Sequence, residues 1–256
     1  MERNIVTLII PSPRSTGGEE IMSVTMLRSI SFFISHFSFQ KVLRFVLGIT
    51  GASGCVYGVR LLELLLSQNC EVHVVVSPTA ELVLLDELAG LEKRDDPKRF
   101  LLDAVEKAGQ IFSFRQCDKD KGNLRQFQGN LHVHRFDDYF APISSGSFAT
   151  DGMVICPCTG SSLAHIASGV NRHLIHRAAE VHLKERRPLI AVVRETPLSR
   201  IHLKNMLTVS ESGGTILPAS PHFYGFNSTA AELIDSVVAK ILDQLRIAHP
   251  LENRWK

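Results

Sequence analysis

From Lys41 onward, short β-branched apolar runs alternate with longer stretches whose apolar residues recur at helical spacing. That alternation is the signature of βαβ units built around a parallel sheet. Residues 42–49 read as a buried strand, followed by a Gly-rich turn and a helix lined by Val56, Val59, Leu61, Leu62, Leu64 and Leu65. A second strand is expected over Glu71–Ser77, which completes one right-handed unit. Helices are predicted over 79–89, 97–109, 161–168, 173–186, 198–210 and 230–245, and strands over 152–157, 189–193 and, briefly, 215–217. The stretch 112–135 is too polar and mixed to assign. No internal repeat or interdomain linker interrupts the series, so the expected fold class is α/β, a mostly parallel sheet with helices on both faces.

Residues 1–40 do not share this pattern. They are rich in Ser, Ile, Phe and Thr, and no acidic residue occurs between Glu20 and Glu63. The expected organisation is therefore an N-terminal extension over 1–40, one domain over 41–248, and a short tail over 249–256. The run Met26–Phe39 is Arg/Ser-bearing and apolar like a transit peptide, whereas Glu2, Glu19 and Glu20 are atypical of one, and Met22 and Met26 offer later starts. The expectation is a cytoplasmic protein, or a mitochondrial one if the extension acts as a transit peptide. No apolar run reaches the ~18 residues of a spanning helix. With 28 Lys+Arg against 26 Asp+Glu the net charge is only +2, so bulk charge nominates neither nucleic acid nor an anionic membrane as partner. An apolar share of 45% with 21% charged residues excludes disordered and fibrous classes. The five cysteines are odd in number and form no CxxC pair, which argues against a disulfide framework or zinc ribbon and for a reducing compartment.

Three segments carry candidate chemistry. Gly48-Ile-Thr-Gly51-Ala52-Ser53-Gly54 lies where a strand gives way to a helix, a position whose amides suit a phosphate, although such a turn can equally be structural. Its spacing is not the dinucleotide GxGxxG, and Ser77 ends the second strand where a NAD site places an acid, so a mononucleotide such as FMN fits better. Cys156-Pro-Cys158-Thr159-Gly160-Ser161-Ser162 occupies a second strand end; its hydroxyls and amides suit a flavin or phosphate, or an ordinary helix cap. Cys156 and Cys158 are read as buried packing residues on opposite faces of their strand. The third segment runs from Arg177 through Lys184-Glu-Arg186-Arg187-Pro188 to Arg194-Glu195-Thr-Pro. Seven helical residues bring Arg177 and Lys184 to one face, about 10 Å apart. Arg186 and Arg187 read as solvated, while Arg194-Glu195 falls at the rim of a buried strand. No metal is expected: neither Asp95-Asp96 nor Asp137-Asp138 opens a DDxxD cluster, and the eleven histidines, His132 and His134 among them, show no ligand spacing.

Taken together, Gly51-Ala-Ser-Gly54, Tyr57-Gly-Val-Arg60, Ser145–Cys158, Lys184-Glu-Arg-Arg-Pro-Leu189, Arg194-Glu-Thr-Pro-Leu-Ser199, Ile201-His-Leu203, Asn205-Met-Leu207 and Pro221-His-Phe-Tyr224 resemble the flavin prenyltransferase (UbiX) family, from about Val42 to about Ile247. The resemblance implies a flavodoxin-like Rossmann fold and a large homo-oligomer, a dodecamer. It implies metal-independent transfer of a dimethylallyl group from dimethylallyl phosphate to N5 and C6 of reduced FMN. The product, prenylated FMN, serves a UbiD-type decarboxylase. By the same resemblance, Gly51, Ala52, Ser53, Ser77, Thr159, Gly160, Ser161, Ser162 and Arg194 bind FMN. Glu195, Lys184, Ser53 and Glu87 fall at catalytic positions, and Tyr224, Lys240, Lys184, Arg177 and Tyr139 at the prenyl-phosphate site.

The chain departs from the family pattern at a few points. Lys240 stands where many relatives carry Arg, which keeps the charge but loses the bidentate fork. Tyr139 replaces a Trp of some relatives, Asn171-Arg-His173 alters the entry to the basic helix, and Thr159 replaces Ser. Two other readings share the flavin fold: an FMN-dependent oxidative cysteine decarboxylase, and a non-catalytic flavin-binding partner of a decarboxylase. Lys184-Glu-Arg-Arg-Pro and Arg194-Glu195 favour the transferase.

Overall fold

The structure, a computed structural model, describes residues 42–114, 130–223 and 229–251. The expected extension over 1–40, Tyr224 and most of the C-terminal tail lie outside the described residues. Six strands form a single all-parallel sheet in the order β3-β2-β1-β4-β5-β6. They are β1 (Arg44–Ile49), β2 (Glu71–Val76), β3 (Leu131–His134), β4 (Gly152–Cys158), β5 (Leu189–Val193) and β6 (Thr215–Pro218). Among the described residues seven α-helices accompany them: α1 (Cys55–Ser67), α2 (Pro78–Glu87), α3 (Pro97–Phe112), α4 (Gly160–Ser168), α5 (Leu174–Lys184), α6 (Arg200–Glu211) and α7 (Ala230–Gln244).

Burial explains why the strands read as continuous apolar runs. β4 and β5 are buried along their whole length, because helices cover both faces of the sheet. On one face α1, α2, α3 and α7 enclose a core containing Leu61, Leu84, Leu101 and Val238. On the other, α4, α5 and α6 contribute Leu163, Ile175, Ala178 and Val209. Helix α1 approaches β4 so closely that a Cβ on Gly58 would lie 2.3 Å from the Cys156 carbonyl oxygen. Arg60, fully buried on the same helix, ties α1 to α7 through Asp235 at 2.8 Å and also pairs with Glu63.

Two sequence expectations need correction. The unassigned stretch 112–135 contains β3, an edge strand whose four residues alternate Leu and Val with His; so short a run has too little apolar content to stand out. Arg187 is no solvated cation: it donates to the carbonyls of Gly146 and Phe148 at 2.6 and 2.7 Å and so pins the loop before β4. Cys156 and Cys158 do face opposite cores, as expected. Two-residue spacing alone would put them on the same side. A register shift between Ile155 and Cys158 turns the second one over.

Candidate active site

In this strand order the chain reverses direction of winding between β1 and β4, and in open α/β sheets the ligand crevice lies at the carboxyl ends of the strands at that point. The turn after β1 and the turn after β4 meet there. Thr50 joins them: its hydroxyl donates to the Pro157 carbonyl at 2.7 Å and accepts from the Thr159 amide at 2.9 Å. Its own amide reaches the same carbonyl at 3.2 Å. One buried threonine thereby fixes the spacing of the two loops.

Within the first turn, Gly51 packs on Thr79 at the start of α2, and Ser53 is exposed. Gly54 takes a left-handed φ of 95°, which a side chain would strain, and so turns the chain into α1. Glu87, at the end of α2, reaches back to this corner. Its carboxylate accepts from the Gly54 amide and, at 3.3 Å, from the Val56 amide. A negative group at a helix N-terminus is stabilised by the helix dipole and satisfies amides that the helix leaves free. Ser77 is buried and caps α2 by accepting from the Ala80 amide at 3.1 Å, which leaves its hydroxyl hydrogen free to donate. Thr159 likewise caps α4, accepting from the Ser162 amide at 3.1 Å and donating to the Ser162 hydroxyl at 3.0 Å. Gly160 abuts the His202 imidazole, and Ser161 is exposed.

Arg194 follows β5 directly. Its side chain lies over the Gly54 turn, with Cδ 3.5 Å from where a Cβ on Gly54 would stand. Its Nε is buried and has no hydrogen-bond partner among the described residues. Leaving such a donor unmet is costly, by about 1–3 kcal/mol or more for a charged group. A bound anion or acceptor is the usual resolution. Tyr57 is held protonated beyond its ordinary range, chiefly by burial, with the nearby Arg194 working in the opposite sense. Burial also raises the thiols of Cys55 and Cys156, and lifts Cys70 to about 11 and Cys158 to about 12, so these cysteines stay protonated packing groups. Glu195, one residue on, is exposed and its carboxylate accepts from the Thr196 amide at 3.2 Å.

Of the residues expected around a prenyl phosphate, Tyr224 lies outside the described residues, and the others make their described contacts away from this corner. Arg177 and Lys184 do share a face of α5, as their spacing predicts. Arg177 donates to the Ser144 carbonyl at 3.0 Å and to Glu180 at 2.7 Å, and Lys184 lies over Gly146, 3.2 Å from Glu185. Tyr139, 45% exposed, donates from its hydroxyl to the Asn171 carbonyl at 3.4 Å. Lys240 is elsewhere, exposed on α7 and 3.8 Å from Asp243 of its own helix. Two residues with no expected role take part: Thr50, which clamps the loops, and Tyr57, which walls the Gly54 turn. The sequence signals were the place of Thr50 inside the glycine turn and of Tyr57 in the Tyr57-Gly-Val-Arg60 motif, neither of which gave a role.

Residues 35–246 match the family described as Flavoprotein. The flavin prenyltransferase UbiX of Halalkalibacterium halodurans is 43% identical over 211 residues, which cover 82% of this chain and 92% of that protein. Among solved structures, AnUbiX (PadA1) in complex with FMN and dimethylallyl pyrophosphate is similar at 35% identity and a TM-score of 0.68, over 84% of this chain and 98% of that one. A dodecameric FMN-dependent UbiX-like decarboxylase from Escherichia coli O157:H7 is similar at 35% identity and a TM-score of 0.67, over 84% and 100%. With this degree of identity across nearly the whole length of its relatives, the chain belongs to the flavin prenyltransferase (UbiX) family of flavoproteins.

Proposed function

We propose that this protein is a flavin prenyltransferase that takes reduced FMN and dimethylallyl phosphate, joins the dimethylallyl group to N5 and C6 of the flavin, and releases inorganic phosphate. The observation that carries the reading is Arg194: a buried, unpartnered guanidinium nitrogen over the Gly54 turn, at the crevice where this fold takes a ligand. Gly51, Ala52, Ser53, Ser77, Gly160 and Ser161 would line the flavin, and Thr159 and Ser162, which bond to each other, would shape the far side. When bound, the reduced flavin supplies the two nucleophilic atoms. The chain's part is to orient it, exclude water, and stabilise charge as the allylic C–O bond breaks.

Glu195 is the group we assign to exchange a proton with the departing phosphate, with Glu87 supporting the turn beneath Ser53 and Lys184 and Arg177 supplying positive charge. Because α5's cationic face and the Arg194 corner are separate within one chain, the site is completed by assembly. A homo-oligomer agrees with the apolar side chains of Ile201, Leu203 and Leu207 left exposed on α6, and with Phe140, which is 99% exposed. By likeness to the Escherichia coli relative, the assembly is a dodecamer. Its product would be the cofactor of a UbiD-type decarboxylase, and the proposed compartment is the cytoplasm. Among the described residues no helix is long and apolar enough to cross a membrane.

Anaerobic incubation with reduced FMN and dimethylallyl phosphate, followed by mass spectrometry of the flavin, tests the reading. A gain of one C5H8 unit together with free phosphate is expected; recovery of unmodified FMN with saturable FMN binding would leave only a flavin-binding protein.

A further inference from the structure

Near the β3 edge of the sheet and toward the amino end of β2, away from the corner at the carboxyl ends of β1 and β4, the parallel pairing of β2 with β3 sets His73 directly beside His132, with Glu71 two residues before His73 on the same side of β2. A separation of 59 positions along the chain hid this from any spacing rule. His73 Nε2 lies 2.9 Å and His132 Nε2 3.9 Å from the same oxygen, Glu71 Oε1. One donor atom from each of the three residues lies within 4.8 Å of the others, and among the described residues this is the one such group of His, Cys and carboxylate side chains. We infer that Glu71, His73 and His132 form a binding site for a divalent transition-metal ion of the zinc type, separate from the flavin site.

A tetrahedral zinc ion with bonds of about 2.1 Å holds its donor atoms about 3.4 Å apart. The two separations from Glu71 Oε1 bracket that value; closing the site needs His132, whose side chain is 46% exposed, to turn out of its near-parallel stack on His73, and the Glu71–His73 pair to open slightly. His73 cannot move far: it is 4% exposed, stacked against His132 at 4.7 Å and against the edge of Phe148 at 5.0 Å. It also has the outer partner that a metal-bound imidazole needs. Its Nδ1 lies 2.8 Å from His134 Nε2, so Nδ1–H can donate there while Nε2 presents its lone pair. Arg44 orients the carboxylate, donating to Glu71 Oε2 at 2.9 Å while Oε1 also faces the imidazoles. Its Nε, 2.8 Å from Oε1, is a fixed positive charge that tempers affinity for a cation. Two imidazoles and a carboxylate suit zinc or a neighbouring first-row ion better than magnesium or calcium, which take oxygen ligands.

The test uses tag-free, full-length protein stripped with a chelator and titrated calorimetrically with Zn²⁺ alone. One equivalent per chain is expected. His132→Ala, an exposed change that should leave FMN binding intact, should weaken Zn²⁺ by more than 100-fold. His134→Ala should weaken it by the ~10–100-fold typical of an outer partner. His165→Ala, on α4, should do nothing. Unchanged Zn²⁺ affinity in His132→Ala, or loss of it in His165→Ala with His132→Ala intact, would overturn the assignment, as would the absence of a saturable equivalent in the parent protein.

Discussion

Replacing Arg194 by Met separates a ligand-binding role from a structural one, because the two predict opposite signs. Met keeps most of the side-chain bulk over Gly54 while removing the charge and the buried Nε that finds no partner among the described residues. In the ligand-free protein that donor is a burden of about 1–3 kcal/mol, so its removal should leave stability unchanged or raise it. At about 2–4 °C per kcal/mol for a chain of this size, the melting temperature should hold or rise by a few degrees. Binding of FMN should respond the other way. A hydrogen bond to a charged group contributes about 1.5–3 kcal/mol, and each 1.4 kcal/mol is tenfold, so the dissociation constant should rise by roughly 10- to 150-fold. Quenching of flavin fluorescence on titration gives the affinity, and thermal unfolding with and without FMN gives the stability. A variant that binds FMN as tightly as the parent, or that melts several degrees lower without FMN, would show that Arg194 serves the fold and not the ligand.

Glu195→Gln should keep FMN binding and slow formation of the prenylated flavin by roughly 10²–10⁴-fold, the contribution of a positioned acid or base; Lys184→Ala should raise the dimethylallyl phosphate requirement, again with FMN retained, both read by product mass spectrometry. Gly58→Ala places a Cβ 2.3 Å from the Cys156 carbonyl oxygen and should cost about 1–3 kcal/mol in chemical denaturation. Deleting residues 1–40 should leave FMN affinity unchanged, since the first strand begins at Arg44. Burial holds His173 and His182 down at about 4 and His176 at about 3. An unfolded chain, with imidazoles near ~6.5, therefore binds more protons in between, and stability present near neutrality should be lost as pH falls from about 6.5 toward 4. His176→Leu should flatten that loss when denaturation midpoints at neutral and mildly acid pH are compared.

The elements easiest to read were those buried on both faces. β1, β4 and β5, and the helices that cover them, declare themselves because β-branched runs and helical periods leave few alternatives. β3 did not, since an edge strand of Leu-His-Val-His depends on its neighbour β2 for its existence rather than on its own composition. At the site, the two turns were legible because Gly and Ser at a strand end have few other uses. The contacts those turns make were not, even though the resemblance had named Glu87. Glu87 lies 33 residues from Gly54, and Thr50 touches Pro157 across 107 residues, distances over which only the folded sheet supplies the coincidence. The same holds for the histidines: pairing of parallel strands, not spacing along the chain, puts His132 beside His73.

The position of Glu87 changes how the first turn can be used. Read as sequence, Gly51–Gly54 before a helix invites a phosphate onto the free amides of the helix end. Here the Gly54 and Val56 amides already donate to a carboxylate, so an anion placed on them would have to displace Glu87 or share the site with its charge. Two like charges at hydrogen-bonding distance from the same amides repel strongly in a half-buried corner, where the effective dielectric is far below that of water. Among the described residues the positive group here with a buried, unpartnered nitrogen is Arg194, on the other side of Gly54, with the hydroxyl of Ser77 at the end of the adjacent strand. On the proposed function, an anionic ligand group would sit beside Arg194, and the glycine turn, stripped of its helix-end charge, would present close, neutral backbone to an uncharged part of the ligand. That division gives Gly51 and Ala52 a steric reason to be small, and it leaves Ser53, exposed at the tip, as the side chain of the turn able to meet the second substrate.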